Sequence, residues 1–535
     1  MNGSFRQSMT WLHTWSCLVF CWIIYYMFVT GTLGYVDSEI DHWMEPEVAA
    51  AAVEASHYNV QASIQAGVEY LKETAPGAKQ WRIFPANSRQ SRHIRAFWQM
   101  PEPEGDSEFD RDGFRGNTSI DIHGLPIATP RDTGGGQLLY RMHYRLHYLD
   151  RDHVYRFIGV VTMLMFIGII TGVVVHKRIF SDLFTFRPNK DRRSWLDMHN
   201  LASVSSLPFQ LMITYSGLIF MIVTWMPGIA IGGYGFDVKT AQDALSQAVA
   251  QEEYTFSGEA APIPDLSKII QSAHLKWDES SIDNVTIEWP GDANSKIILN
   301  RKAGISSFSE QLIFDGKTGE FISEKPAHQN MPIALGASAI GLHEGLFAGP
   351  ILRLIYLFSG ALGTLMIATG AIYWTVKRRD KALKENHKGY RCVEALNIGT
   401  IMGLPIAIAA YFWANRILPV TMTSREEWEA HALFLTWAVF LIHPLFRPSR
   451  MAWKEQSYFA CLAFLLIPVV SGLTTDSNLV TSMRNGDNIT AYFELVCLGI
   501  GIAYGITAWR ISQQPDSIER PKKINRNITM PEATS

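Results

Sequence analysis

Eight long apolar stretches of this chain contain no Asp, Glu, Lys or Arg, and they limit its possible folds more than any other feature. These uncharged stretches are residues 11–35, 157–175, 198–236, 354–376, 395–415, 430–446, 457–475 and 495–509. A transmembrane helix needs about 20 predominantly apolar residues. We therefore predict a mainly α integral membrane protein with eight transmembrane helices. The first is expected to be a retained anchor, because it has no small-residue cleavage site.

The composition agrees with a membrane protein. Only 18% of the 535 residues are charged, 47% are hydrophobic, and 16 are Trp. This composition excludes a soluble enzyme. The formal net charge of −3 is close to balance and gives no indication of nucleic-acid binding.

The distribution of basic residues predicts the orientation of the chain. Lys and Arg are abundant after the second and fourth predicted helices and in the C-terminal tail, and loops of this kind are cytoplasmic. Both termini are therefore expected in the cytoplasm, and two long segments on the outer side, where they form α+β insertions. The predicted order is helix 1 (1–35), an outer domain (36–153), helix 2 (154–176), a cytoplasmic loop (177–197), helix 3 (198–226), a second outer domain (227–342), helix 4 (343–377), a cytoplasmic loop (378–392), helices 5 to 8 (393–510) and a cytoplasmic tail (511–535).

The first two predicted helices repeat as the third and fourth. His13 precedes a Thr-Gly pair by seventeen residues in the first helix, and His199 precedes a Ser-Gly pair by seventeen residues in the third. Further Thr-Gly pairs mark the second and fourth helices. A repeat that is offset by two helices keeps its orientation, so we expect a pseudo-twofold axis along the membrane normal.

Four histidines occupy repeated positions in this pattern. His13 and His199 lie near the predicted cytoplasmic end of the bundle, and His147 and His343 near its outer end. A histidine in a membrane helix is costly without a partner, and facing helices of a bundle commonly hold a cofactor through such side chains. Neutral imidazole is a good axial ligand for haem iron. The pattern therefore predicts two haems, one held by each pair.

Other histidines compete for these roles. His176, at the end of the second helix, is an alternative to His13 as the partner of His199. His143 and His153 compete with His147, because all three lie close to the start of the second helix.

Four glycines support a close approach of helices or of a porphyrin; they are Gly31, Gly172, Gly217 and Gly370. Two haems at different depths would form an electron path across the bilayer. The sequence contains neither a G-x-G-x-x-G motif nor a P-loop. The expected electron donor is therefore a membrane quinol or a separate cytoplasmic reductase.

The motifs WLHTWSCLVFCW, YRMHYRLHYL, LDMHNLASVSSLPFQLMITYSG and GLHEGLFAGPILRLIYLFSG resemble the bacterial PepSY-associated transmembrane family. The resemblance extends over about residues 8–380, and FDGKTGEF in the second insertion is similar to the end of a PepSY module. It implies an inner-membrane, b-type dihaem reductase that reduces a periplasmic ferric siderophore. The recurrent histidine elements of the family fall on His13, His147, His199 and His343. The chain departs from the family at His176, where Trp is frequent, and in its four additional helices.

Two other functions compete with a reductase. The outer insertions could act as a periplasmic sensor or as a peptidase-regulating element, with the helices as anchor. Alternatively, the protein could be a siderophore or metal permease. The sensor predicts a protein without colour, and the permease predicts transport of an intact chelate without reduction.

Overall fold

The computed structural model describes residues 3–55, 57–86, 89, 91–101, 115–176, 187, 192–220, 240, 254–277, 281–302, 304–327, 331–385 and 388–513. These residues form a mainly helical protein with one antiparallel sheet, which confirms the predicted mainly α class. The helices are α1 (Gly3–Gly34), α2 (Asp37–Met44), α3 (Ala49–Ala55), α4 (Val60–Thr74), α5 (Gly135–Met142), α6 (Arg151–Val175), α7 (Arg192–Ser205), α8 (Leu207–Ile219), α9 (Leu266–His274), α10 (Met331–Glu344), α11 (Pro350–Glu385), α12 (Lys388–Ile401), α13 (Gly403–Ile417), α14 (Arg425–Ile442), α15 (Ser449–Leu465), α16 (Ile467–Thr474), α17 (Leu479–Asn485) and α18 (Asn488–Gln513). The strands are β1 (Gln80–Phe84), β2 (Ile94–Gln99), β3 (Arg115–Ile120), β4 (Ile282–Glu288), β5 (Lys296–Arg301), β6 (Gln311–Asp315) and β7 (Phe321–Lys325).

In the described part of the chain, six helices are long and apolar enough to cross a membrane. They span Ser4–Gly34, Arg151–Val175, Pro350–Ala382, Lys388–Ile417, Ser449–Thr474 and Asn488–Gln513. The third and sixth predicted spans differ from these six. The third is divided between α7 and α8, and its remainder, 221–236, lies outside the described residues. The sixth lies in α14, which begins with a charged turn.

Three breaks in the apolar helices have a common cause. The breaks between α7 and α8, between α12 and α13 and between α15 and α16 are each followed within a few residues by a proline. These prolines are Pro208, Pro405 and Pro468. A proline cannot donate the backbone hydrogen bond of a helix, and its ring clashes with the preceding turn. The helix is therefore interrupted before it.

Four helical segments close into a ring, with α7 and α8 together forming one of the four. The helix α1 packs against both α6 and α11, α7 packs against α11, and α8 packs against α6. We call the end of this ring where α1 ends and α6 begins the sheet end, because the sheet lies beyond it. The opposite end is the far end.

The seven strands form one sheet in the order β3-β2-β1-β4-β5-β6-β7, and every neighbouring pair is antiparallel. The pairing of β1 with β4 joins the two predicted insertions, with Trp81 opposite Ile287 and Ile83 opposite Val285. These four side chains are buried in one core that also includes residues of α4 and α9. The two insertions thus share a single sheet and a single hydrophobic core.

An ion-pair network fastens the sheet to the bundle. Glu39 in α2 accepts from Arg92, with an N–O distance of 3.1 Å, and pairs at 3.1 Å with Arg353 of α11. Arg89 donates to the Tyr35 carbonyl at 2.6 Å and pairs with Asp37 at 3.2 Å. The guanidinium groups of Arg89 and Arg92 therefore have acidic or carbonyl partners at the boundary between sheet and bundle.

Candidate functional site: two facing histidine pairs

The first pair of facing imidazoles lies at the far end of the bundle. His13 of α1 and His199 of α7 have ring centres 6.4 Å apart. Nδ1 of His13 lies 2.9 Å from the Gly168 carbonyl, and Nδ1 of His199 lies 2.8 Å from the Met366 carbonyl. A carbonyl only accepts, so each Nδ1 must carry the proton. The other ring nitrogen, Nε2, consequently keeps a lone pair that can bind a metal.

The second pair lies at the sheet end. His143, directly after α5, and His343 of α10 have ring centres 5.9 Å apart. Nδ1 of His143 lies 2.7 Å from the Met27 carbonyl, and Nδ1 of His343 lies 3.0 Å from Oγ of Ser216. The hydroxyl of Ser216 already donates to a carbonyl of its own helix, so it accepts from His343. The protonation pattern of the first pair therefore recurs in the second.

The structure does not bring His147 next to His343. The His147 ring is exposed and stacks on Phe434 of α14, with 5.5 Å between ring centres. His147 is predicted close to the start of the second membrane helix, but α6 begins only at Arg151. Residues 143–150 form turns, so a spacing of four residues does not keep His143 and His147 on one face.

The two remaining candidates have different surroundings. His153 is exposed and bonds through Nδ1 to Asp150, which also caps α6. His176 follows the last residue of α6, and its Nε2 is buried without a hydrogen-bond partner among the described residues. Because His13 faces His199, His176 is left beside the far-end pair rather than within it.

Each of the four paired imidazoles rests against a glycine. A Cβ atom would lie 3.2 Å from Cε1 of His13 if added to Gly172, and 3.0 Å from Cε1 of His199 if added to Gly370. A Cβ added to Gly217 would lie 3.2 Å from Cε1 of His343. A Cβ added to Gly31 would lie closest of all, at 2.5 Å from Nδ1 of His143. The carbonyls of Gly168, Met366 and Met27, which hold three of the rings, each lie one helical turn before the corresponding glycine. The missing side chain leaves room for the imidazole to reach that carbonyl.

A cavity accompanies each pair. The far-end cavity has a volume of ≈ 360 Å³ and contains His13, His199 and His176 among its lining residues. The sheet-end cavity also has a volume of ≈ 360 Å³, and His143 and His343 line it. Volumes of this size fall in the usual range of small-molecule sites. Ile24 and Met165 line both cavities, so a single layer of side chains separates them.

The helices α13 and α14 hold the segment from which His143 extends. Oε2 of Glu429 accepts from the Thr133 hydroxyl at 2.6 Å and from the Gly134 amide at 3.2 Å. The Tyr411 hydroxyl donates to the Gly135 carbonyl at 2.8 Å. Glu429 is fully buried, and its charge is balanced by the equally buried Arg425. This part of the bundle therefore fixes the start of α5, at whose end His143 stands.

Two buried carboxyl groups lie beside the same segment. Asp41 accepts from the Gly136 amide at 2.7 Å, yet burial raises the pKa of Asp41 to about 6. Burial, together with the nearby charge of Asp41, raises the pKa of Glu45 to about 7. Both groups therefore change charge in the physiological pH range.

The bundle and the four facing histidines define a multi-pass helical membrane protein with two pairs of opposed imidazoles. The chain belongs to the family described as the PepSY-associated TM region, whose model matches residues 10–377. This match confirms the resemblance found in the sequence, and it ends before α12. No curated protein matches the chain.

Sequence reasoning named His143 only as an alternative, although a signal for it existed. His143 precedes the first residue of α6 by eight residues, and His343 precedes the first residue of α11 by seven, whereas His147 precedes α6 by only four. Trp374, which lines the far-end cavity, follows Gly370 by four residues, as His176 follows Gly172.

Proposed function

We propose that this protein is a dihaem b-type oxidoreductase that carries electrons across a bacterial inner membrane and reduces a ferric siderophore on the outer side. The observation that carries the proposal is the geometry of the two histidine pairs. The two imidazoles of each pair face each other, with ring centres 6.4 Å apart in the first pair and 5.9 Å apart in the second. Every Nδ1 forms a hydrogen bond, and every Nε2 is left for a metal. His13 with His199 would hold one haem, and His143 with His343 the other.

The distances fit a haem iron between the rings. With metal–nitrogen bonds of about 2.0 Å, two imidazoles on opposite faces of one metal ion have ring centres roughly 6 Å apart. Each pair supplies two nitrogen ligands, which is the number that a haem iron takes from the protein when both axial positions are filled. When bound, the two haems would supply one-electron redox chemistry at two depths of the membrane.

The residues of the chain prepare both sites for such a group. The hydrogen bonds that Nδ1 donates to three carbonyls and to the Ser216 hydroxyl orient the imidazoles and raise their basicity. The glycines let the rings sit against the helices, and the apolar walls of the cavities exclude water. The layer formed by Ile24 and Met165 separates the two sites by the thickness of a single side chain.

The proposed reaction adds one electron to a periplasmic Fe(III) chelate and yields Fe(II), which oxygen ligands of the hard type bind less tightly. The electron would come from a membrane quinol or from a cytoplasmic reductase. The lipid bilayer separates the two half-reactions.

The proposal includes eight transmembrane helices with both termini in the cytoplasm. The break in the third span and the polar first turn of α14 would be tolerated in the membrane because neighbouring helices of the bundle cover them. The equivalent contacts of four imidazoles with four glycines support a twofold repeat of the first four helices. The far end of the bundle is then the cytoplasmic end.

The visible spectrum of the detergent-purified protein tests the proposal. We expect sharp reduced α and Soret bands and about two haems per chain by pyridine haemochrome. His13→Ala or His199→Ala should remove one haem, and His143→Ala or His343→Ala the other. His147→Ala is the matched control and should retain both.

Two results would contradict the proposal. One is a colourless protein after expression with added haem precursor, which would favour the sensor. The other is haem loss in His147→Ala with both haems kept in His143→Ala, which would reject the assigned ligands. Reduction of a ferric siderophore by vesicles that contain the protein and a reduced quinol tests the reaction itself.

A further inference from the structure

Two buried nitrogen atoms in the far-end cavity have no hydrogen-bond partner in the described part of the chain. They are Nε2 of His176 and Nε1 of Trp374, and both side chains line the cavity. A buried polar atom without a partner costs free energy, and native proteins nearly always satisfy such atoms. Their position in a cavity indicates that a ligand satisfies them.

The two atoms occupy equivalent positions in the predicted repeat. His176 follows Gly172 by four residues, and Trp374 follows Gly370 by four residues. Gly172 and Gly370 are the glycines against which His13 and His199 rest. His176 and Trp374 therefore lie about one helical turn, roughly 5.4 Å, beyond the paired imidazoles toward the far end.

The mouth of this cavity is positively charged. Lys377 and Arg378 also line it, and neither forms an ion pair with a carboxylate within the described residues. The Arg378 guanidinium lies 4.3 Å above the Trp374 ring, which holds the indole in place. None of the described residues that line the cavity is Asp or Glu. An indole N–H, an imidazole nitrogen that can carry a proton, and two cations without a carboxylate partner among the described residues together fit a pair of carboxylates.

We infer that His176 and Trp374, assisted by Arg378, bind the two propionates of the haem held by His13 and His199. The inference rests on the proposed function. The two propionates of a haem lie on one edge, on either side of its approximate twofold axis. In a bundle with a twofold axis along the membrane normal, each propionate meets one of two equivalent side chains. His176 is then a propionate partner and not a ligand of the iron.

The test compares haem with haem dimethyl ester, in which the carboxylates are blocked. Both porphyrins are loaded into full-length protein that carries His343→Ala, so that only the far-end site is filled. The rate of porphyrin transfer to excess apomyoglobin is then measured. We expect Trp374→Phe and His176→Phe each to accelerate loss of haem about tenfold, as for loss of a hydrogen bond to a charged group, and to leave loss of the ester unchanged.

Trp11→Phe is the matched control, because Trp11 is 64% exposed and does not line the cavity. It should change neither rate. Arg378→Gln is a variant at the mouth that leaves the packing of the cavity intact. It should also accelerate the loss of haem and leave the loss of the ester unchanged. The midpoint potential of the remaining haem gives a second readout, since removal of a donor from a propionate shifts it.

Equal acceleration for both porphyrins would overturn the inference, because it would show a packing role. Unchanged loss of haem combined with slower reduction by a quinol analogue would also overturn it and would assign the two nitrogens to the electron donor. A parent protein that binds no haem at all would instead refute the proposed function.

Discussion

At the scale of single residues, the four glycines beside the imidazoles decide whether the rings can reach their hydrogen-bond acceptors. Of these, Gly31 leaves the least space, because its Cβ position lies 2.5 Å from the His143 ring. By contrast, a Cβ at Gly499 of α18 would meet nothing within 4 Å. The same substitution should therefore have opposite consequences at the two positions.

We predict that Gly31→Ala displaces His143 and removes the haem that we propose at the sheet end, with a lower thermal midpoint. Gly499→Ala should keep both haems and be neutral or slightly stabilising, because Ala favours helix by about 1 kcal/mol over Gly. The reduced spectrum and a thermal melt measure both effects. Retention of two haems by Gly31→Ala would show that the ring contact is dispensable.

The buried carboxyls next to α5 predict the pH dependence of stability. The pKa of Asp41 rises from 3.8 to about 6 and that of Glu45 from 4.5 to about 7 on folding. The folded protein thus binds more protons than the unfolded chain between about pH 4 and 7. Their stabilising contribution is complete below pH 4 and is lost as the pH rises through 6 and 7.

Glu45→Gln should therefore flatten the fall in thermal midpoint between pH 5 and pH 8. Glu69→Gln on the exposed face of α4 is the control and should leave the slope unchanged. Melting curves in detergent at intervals of half a pH unit give the slope. An unchanged slope in Glu45→Gln would exclude this carboxyl as its source.

At the scale of elements, the pairing of β1 with β4 makes two distant segments one folding unit. Ile83 of β1 is fully buried in the shared core, whereas Ile322 of β7 is 48% exposed on the same sheet. Truncation of a buried Ile to Ala typically costs about 2–5 kcal/mol. A substitution that destabilises the first insertion should then also destabilise the second.

We predict that Ile83→Ala increases proteolytic cleavage within β4–β6 as well as within β1–β2. Ile322→Ala, which removes the same atoms from an exposed position, should not. Limited proteolysis with mass spectrometry locates the cuts. Cleavage restricted to the first insertion would mean that the two insertions fold independently.

At the scale of the whole molecule, the helices beyond the family match hold the site from outside. Glu429 and Arg425 are buried in α14 and contact the segment that leads into α5. Asn397 of α12 accepts from Trp22 of α1 at 2.9 Å, so these helices also touch the first span of the bundle. The additional helices thus act on the position of His143 without lining its cavity.

Glu429→Gln should lower the thermal midpoint and disturb the spectrum of the sheet-end haem, because it leaves Arg425 buried without a counter-charge. Loss of one partner of a buried ion pair typically costs about 3–5 kcal/mol. Glu427→Gln, two residues away and exposed, is the control and should have no effect. Electron paramagnetic resonance distinguishes the two haems. An undisturbed sheet-end signal would limit these helices to a role that does not involve His143.

Much of the architecture follows from the sequence because it depends on local patterns. Uncharged stretches, helix-breaking prolines and Thr-Gly pairs act within a few turns of helix, so apolar spans, glycine positions and three of the four facing histidines could be predicted from them. Tertiary structure alone decided two points. His143 rather than His147 faces His343, because residues 143–150 form turns and the long-range contacts of Thr133 and Gly135 aim α5. The two insertions share one sheet, because β1 finds its partner some 200 residues away, and no local pattern encodes a pairing over that separation.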